Sequence, residues 1–195
     1  MLRQLRSSVL AVILLTVLLG LAYPLAITGV AQVLWPHQAN GSRVDRDGRL
    51  VGSLLIGQDF RGEERYFQSR PSATADDPAD TAASNLGPNS ARLASEIRAR
   101  VQSFVRREQP YDPGLTPAMI PADAVTASGS GVDPDISMAN AAIQAHRVAA
   151  VRGLPLALVM RLIAEHTDGL AGGLFGPVSV NVLALNLALD AAHKS

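Results

Sequence analysis

A glycine-rich stretch near the C-terminus is the first candidate for a binding loop. Gly169, Gly172, Gly173 and Gly176 lie close together, as glycines do where backbone amides cradle a phosphate. A phosphate loop follows a strand and begins a helix, whereas this stretch follows a predicted helix. The single lysine of the chain, Lys194, lies beside the C-terminus and is a poor substitute for the lysine of a P-loop. We therefore expect a structural loop.

Two serines and a histidine raise the possibility of a hydrolase. Ser128 and Ser130 precede Asp133, and His166 follows later, so the residue types of an acyl-transfer triad are all present. A nucleophile elbow requires glycine two residues before and two residues after its serine, and neither serine meets this condition. The spacing favours ordinary turn chemistry for both serines.

The sequence also gives little support for a metal site. Asp133 and Asp135 flank Pro134 at a predicted helix start, where carboxylates commonly cap amides, with a cation site as the alternative. The four histidines lie far apart without metal-ligand spacing: His37, His146, His166 and His193. We expect them to be surface or packing residues.

Composition excludes several further chemistries. The chain has no cysteine, which rules out disulfides, thiolate metal sites and cysteine nucleophiles. Near-absence of lysine argues against Schiff-base enzymes and Ser-Lys peptidases. The formal net charge is +0 and no basic run occurs, so a nucleic-acid partner is not expected.

A long apolar segment near the N-terminus predicts a membrane helix. No charged residue occurs in residues 7–42, and residues 9–35 are dominated by Leu, Val, Ala and Ile. About 20 apolar residues cross the hydrocarbon core of a bilayer. The pattern predicts a transmembrane helix at about residues 8–32, with the lipid bilayer as its surroundings.

A cleaved signal peptide is the competing interpretation of this segment. Arg3 and Arg6 would form its basic start, and residues 29–31 would be a small-residue cleavage site. The apolar run exceeds the usual hydrophobic region of a signal peptide and continues past that site, which favours a retained anchor.

Four residues of the span are candidates for contact with a partner helix. Pro24 lies mid-span and removes a backbone hydrogen bond, which predicts a kink. Gly20, Ala26 and Gly29 are small enough to let another helix approach closely, although small residues also occur as ordinary lipid-facing filler.

The orientation follows less directly from the charges. Arg3 and Arg6 precede the span, and further arginines follow it, but long translocated domains are largely exempt from the positive-inside rule. We expect residues 1–42 to contain a cytoplasmic N-terminus, the span and a connector. Residues 43–195 are then one extracytoplasmic domain.

The domain is predicted to be α+β with helices predominating. Strands are expected at residues 49–56, 66–69 and 124–127, and an exposed loop at residues 74–87. Four helices are expected. The first follows a capped start offered by Pro88, Asn89 and Ser90, and the second runs from Asp135 to about Val151, with Asp135 or Ser137 as its cap and Arg152-Gly153 as its stop. The third runs from Leu154 and Pro155 to near His166, and the fourth begins near Asn181, either directly or after a short strand.

Five segments make the chain resemble a known family. They are residues 36–42 (PHQANGS), 66–74 (YFQSRPSAT), 84–90 (SNLGPNS), 127–137 (ASGSGVDPDIS) and 180–190 (VNVLALNLALD). Together they strongly resemble the C subunit of the bacterial high-affinity potassium-transporting ATPase, the Kdp system. The resemblance covers nearly the whole chain, including the single span.

The resemblance implies an accessory subunit of an inner-membrane complex that imports potassium at the expense of ATP. Its partners would be a potassium-binding, channel-like subunit and a P-type ATPase subunit. The chain lacks the Asp-Lys-Thr-Gly sequence of a P-type catalytic subunit. We expect no catalytic centre and no cofactor, with ATP reaching the system only through the ATPase subunit.

The resemblance also draws attention to Gln144. The family's subunit is proposed to act as a catalytic chaperone that raises the ATP affinity of the ATPase subunit, and Gln144 matches the residue of interest. A domain outside the membrane has no access to cytoplasmic ATP, so a structural hydrogen bond is the favoured role of Gln144. The alternative to the whole assignment is a free-standing, membrane-anchored envelope protein that binds a ligand.

Overall fold

The computed structural model describes residues 1–46, 48–170 and 175–192. The chain divides into two compact units, Met1–Leu50 and Val51–Ser195. Its elements confirm the predicted α+β class, with one long apolar helix followed by a helix-rich part that contains small sheets.

The N-terminal unit is dominated by one continuous helix, Leu2–Leu34. It consists of α1 (Leu2–Leu15), a π-helical segment (Thr16–Ala22) and α2 (Tyr23–Leu34), and none of its residues is buried. By length and composition this helix is suited to cross a membrane, and among the described residues it alone meets that test.

The π-helical segment lies directly before Tyr23 and Pro24. Proline has no N–H to donate, so a helix must change its hydrogen bonding in the preceding turn. Tyr23 accordingly donates its N–H to the Leu18 oxygen, five residues back, instead of four.

A short helix and a small sheet follow the long helix. Helix α3 spans Pro36–Ala39, and strands β1 (Arg43–Arg46) and β2 (Arg49–Ser53) form a two-stranded sheet. The predicted strand at residues 49–56 is confirmed for its first part. It ends at Ser53 because the chain turns there, with the Ser53 hydroxyl accepting the Leu55 N–H.

Helix α5 (Met138–Arg152) is central to the core of the second unit. Ser137 caps its start by accepting the Asn140 N–H, and Gly153 ends it in the left-handed conformation at φ 66°. The predicted cap and stop are thus confirmed. Its fully buried residues Ala141 and Ala145 pack with the apolar faces of α6 (Leu156–Glu165) and α7 (Val182–Ala192).

A three-stranded antiparallel sheet completes this core. Its strands are β3 (Asp135–Ser137), β4 (Thr167–Leu170) and β5 (Phe175–Asn181), in the order β3-β5-β4. Buried Ile136 lies opposite buried Val180 in the register. The strand predicted before the last helix is confirmed.

Helix α4 (Ala91–Glu108) packs beside α5 and is capped as predicted, with the Ser90 hydroxyl accepting the Leu93 N–H. Residues 74–87 contain neither helix nor strand, which confirms the predicted loop.

Two predicted strands are wrong. Residues 124–127 follow a 3₁₀ turn (Ala122–Ala124), because the Val125 N–H and the Thr126 hydroxyl both bond back to the Ala122 oxygen. Residues 66–69 are extended but form no strand. Buried side-chain amides occupy the backbone groups that a neighbouring strand would have taken.

Candidate functional site

Side chains of helices α5 and α7 hold the extended segment of residues 66–69. Asn186 of α7 accepts the Phe67 N–H at 2.8 Å and donates to the Phe67 oxygen at 3.1 Å. Gln144 of α5 does the same for Gln68, at 2.8 and 3.1 Å. A primary amide presents a donor and an acceptor side by side, so each one pairs with a residue as a β-strand would.

Gln144 has no hydrogen-bonding capacity left. Its oxygen accepts from the Gln68 N–H and from the Arg147 guanidinium, while its nitrogen donates to the Gln68 and Asn140 oxygens. The side chain is 1% exposed. An amide offers two donors and two acceptor sites, and all four are used within the chain. A ligand would have to displace one of these bonds to contact Gln144.

A buried ion pair lies next to this amide. The Arg147 guanidinium contacts both oxygens of the Glu108 carboxylate at 3.0–3.1 Å, and both side chains are fully buried. Arg147 also donates to the backbone oxygens of Glu64 and Tyr66. Burial lowers the pKa of Arg147 by disfavouring its charged form, and the Glu108 carboxylate acts in the opposite direction.

Arg152 closes the other side of the segment. It donates to the Arg65 oxygen at 2.6 Å and pairs with Asp190 of α7 at 3.0 Å. Its guanidinium also lies 4.8 Å from the centre of the Tyr66 ring, whose hydroxyl bonds to Asp190. Helices α5 and α7 are therefore tied together through the backbone and the aromatic ring of the segment.

A cleft of about 260 Å³ lies beside this network, with Gln68, Asn140 and Gln144 in its wall. Three arginines also line it: Arg61, Arg100 and Arg107. The Gln68 side-chain oxygen is buried without a partner among the described residues. The cleft thus presents positive charge beside the polar network.

The arginines of the cleft are already paired with carboxylates. Arg61 makes a two-point contact with Asp59 at 2.7 Å, which raises the pKa of Arg61 and lowers that of Asp59. Arg100 pairs with Glu96 at 3.0 Å, and Arg107 with Glu108 at 2.7 Å. The net positive charge that a bound anion would meet is correspondingly reduced.

Turn chemistry is confirmed for the two serines. The Ser128 hydroxyl accepts the Gly131 N–H at 2.8 Å, and the Ser130 hydroxyl accepts the Val132 N–H at 3.2 Å. His166 bonds to the Leu162 oxygen of its own helix. No base among the described residues hydrogen-bonds to either hydroxyl.

Asp133 and Asp135 take up local structural bonds. Asp133 accepts the Asp135 N–H at 3.1 Å and pairs with Arg70 at 2.9 Å. Asp135 accepts from Ser179 and Asn181, and it lies in β3 instead of capping α5. The described residues contain no group of three or more His, Asp or Glu side chains placed to hold a metal ion.

Some of the sequence candidates lie elsewhere. Gly172 and Gly173 of the glycine-rich stretch fall outside the described residues, as do His193 and Lys194.

On the long helix, a Cβ added to Gly20 would meet only the Thr16 methyl group at 3.8 Å, and one added to Gly29 would meet nothing within 4 Å. Packing within the described chain therefore does not require either glycine.

Comparison with known families assigns the chain to one of them. Residues 5–191 match the family model KdpC, described as the c chain of the K⁺-transporting ATPase. The chain belongs to the KdpC family. The match includes the apolar helix and the polar network, so the family assignment made from five short segments is confirmed over nearly the full length.

Individual KdpC relatives cover the same length. A protein from Sorangium cellulosum (strain So ce56) is 51% identical over 99% of this chain and 100% of its own. One from Rhodopseudomonas palustris (strain ATCC BAA-98 / CGA009) is 48% identical over 98% of both chains. Both are named potassium-transporting ATPase KdpC subunit.

Two of the KdpC segments that carried the resemblance meet in the polar network. Residues 66–68 supply the clamped backbone, while Asn186 and Asp190 come from the segment at residues 180–190. Sequence reasoning missed Glu108 and Asn186. The signal for Asn186 was an amide flanked by apolar residues in a helix, which needs a hydrogen-bond partner when it is buried.

Proposed function

We propose that this chain is a non-catalytic accessory subunit of an ATP-driven potassium-uptake complex. It is anchored by the helix Leu2–Leu34 in the bacterial inner membrane, and it supports assembly with a channel-like potassium-binding subunit and a P-type ATPase subunit. The observation that carries the proposal is the KdpC match over residues 5–191, which includes both the span and the folded part.

The non-catalytic role is consistent with how the reactive side chains are used. Ser128 and Ser130 accept backbone N–H groups, and Gln144 is saturated within the core. The sequence also lacks the Asp-Lys-Thr-Gly motif on which a P-type ATPase is phosphorylated. ATP hydrolysis would then belong to the partner.

The chain would raise the ATP affinity of the ATPase subunit through subunit contacts. Two features support an indirect effect. A domain in the proposed extracytoplasmic position would have no contact with cytoplasmic nucleotide, and Gln144 has no free hydrogen-bonding group to offer it. The N-terminus would be cytoplasmic and residues 43–195 extracytoplasmic.

A topology reporter fused after Ser195 tests this arrangement. We expect activity of a reporter that functions only in the periplasm. Activity of a reporter that functions only in the cytoplasm would place the cleft within reach of nucleotide and overturn the indirect mechanism.

Direct nucleotide binding in the cleft is the second candidate, favoured by the three arginines that line it. Arg100→Met tests it in the purified complex, with Arg98→Met as the matched control on the exposed side of the same helix. We expect both variants to leave the KM for ATP unchanged. A selective rise in KM for Arg100→Met would support direct binding.

Purification in mild detergent separates the proposal from a free-standing envelope protein. We expect the chain to be recovered with large transport subunits, and its gene to be required for growth at limiting potassium. Recovery of the chain alone, with normal growth after deletion, would contradict the proposal.

A further inference from the structure

The π-helical segment leaves the Leu19 carbonyl without its helical donors. In an α-helix the Leu19 oxygen accepts from the N–H of residue 23, and in a π-helix from that of residue 24. Tyr23 donates to Leu18 instead, and Pro24 has no N–H. Both regular donors to the Leu19 carbonyl are thus missing.

The position of this carbonyl makes the missing bond costly. Leu19 lies midway along the helix Leu2–Leu34, more than about 20 Å from either end at about 1.5 Å per residue. Neither interfacial water nor lipid headgroups extend to the centre of the hydrocarbon layer. An unpaired carbonyl there is strongly disfavoured, so a donor must come from protein.

The chain's own hydroxyls are poorly placed to supply it. A threonine in a helix bonds to the carbonyl three or four residues earlier. Thr16 therefore reaches back to the turn before the π-helical segment, and Thr28 reaches Pro24 or Leu25. Around the carbonyl, Gly20 has no side chain and Ala22 has only a methyl group, so another helix has room to approach.

We propose that the Leu19 carbonyl is a docking point for a transmembrane helix of a partner subunit, which donates a hydrogen bond from a hydroxyl or amide side chain. This inference rests on the proposed function, since it requires a membrane complex. It assigns Pro24 a positive role, because the proline frees the carbonyl for the partner. Gly20 makes the approach possible.

Pro24→Ala tests the docking point in the complex purified from membranes. The restored N–H lets the helix satisfy its own carbonyls and removes the need for a partner donor. Interhelical hydrogen bonds in membranes correspond to about a 3- to 20-fold change in an equilibrium constant. We expect the fraction of Pro24→Ala chain that stays bound to the transport subunits to fall by a factor of that size as the detergent concentration is raised.

Pro36→Ala is the matched control. Pro36 occupies the first turn of α3, where a missing N–H breaks no helical bond, so retention should be unchanged. Retention of Pro24→Ala equal to wild type would overturn the docking point. Failure of the wild-type chain to co-purify at all would instead overturn the proposed function, so the two failures are distinguishable.

A photo-crosslinking residue placed at Gly20 identifies the occupant within the same complex, with the same residue at Gly29 for comparison. We expect the Gly20 adduct on a partner transmembrane segment next to Ser, Thr, Asn or Gln. An adduct on lipid, on a second copy of this chain, or on a purely apolar partner segment would overturn the proposal.

Discussion

Truncation of Gln144 to alanine removes the amide that pairs with the backbone of Gln68. The substitution leaves the Gln68 N–H and C=O without their partners in the core, where Gln68 itself is 5% exposed. It also removes bonds to Asn140 and Arg147. Gln144→Ala therefore tests whether this residue serves the fold.

The expected cost follows from the two backbone groups. An unpaired buried donor or acceptor costs about 1–3 kcal/mol, so the two together predict a loss of about 2–6 kcal/mol in the free energy of unfolding. Such a loss is a large part of the stability of an ordinary domain. A surface glutamine in a helix would cost less than about 0.5 kcal/mol.

Urea-induced unfolding of the full-length chain in mild detergent, followed by far-ultraviolet circular dichroism, measures this difference. Gln102→Ala is the control, because Gln102 is an exposed glutamine inside α4. We expect the urea midpoint of unfolding to be lower for Gln144→Ala than for wild type, and to be unchanged for Gln102→Ala. Equal stability of Gln144→Ala and wild type would refute the structural role.

Measuring both the occupancy of the Gln144→Ala chain in the complex and the ATP affinity of that complex separates a structural role of Gln144 from a nucleotide contact. If Gln144 acts through the fold, the ATP affinity of the complex falls only as far as the chain is lost from it. A complex that keeps the variant chain at full occupancy, yet loses ATP affinity, would show a direct role for the side chain.

Three further predictions concern the same unit. Arg147→Met should cost up to about 3–5 kcal/mol in unfolding free energy, because it leaves the fully buried Glu108 carboxylate with Arg107 as its remaining cationic partner; adding Glu108→Leu should recover part of that cost, and no recovery would contradict the ion-pair account. Burial raises the pKa of Asp76 in the folded chain. Ionisation of Asp76 therefore destabilises the fold once the pH rises above the pKa that this carboxyl has in the unfolded chain. The stability gained by Asp76→Asn, measured by urea unfolding, should therefore be larger at about pH 7 than at about pH 3, and a pH-independent gain would count against this. Gly57→Ala would place a Cβ 2.6 Å from the backbone oxygen of Asp133 and should lower the free energy of unfolding by about 1–3 kcal/mol, measured by thermal or urea unfolding. Gly87→Ala should be neutral, because a Cβ at Gly87 meets nothing within 4 Å. Equal effects of the two substitutions would be inconsistent with the packing described.

The elements that the sequence predicted well are those specified by local signals. The long apolar run, the Ser90 and Ser137 caps and the Gly153 stop each depend on residues close together in the chain. Helix periodicity and capping are local physics, so one sequence suffices to find them. The segments that indicated the family are likewise short, contiguous stretches of residues.

Residues 66–69 show what only the tertiary structure decided. The sequence predicted a strand there, but Asn186 and Gln144, more than 70 positions away, take the hydrogen bonds that a strand partner would make. No local pattern reveals which distant side chain will pair with a backbone group. The same holds for Glu108 and Arg147, whose charges are tolerated in the core because folding brings them together.

The membrane helix contains both kinds of information. Its existence, length and central proline follow from composition, since hydrocarbon selects apolar residues and proline lacks an N–H. The position of the π-helical segment depends on the hydrogen bonding of the folded helix. The segment ends just before Tyr23 and Pro24, and it leaves the Leu19 carbonyl without a helical donor. A proline fixes which donor is lost, whereas the surrounding backbone determines which acceptor goes unpaired.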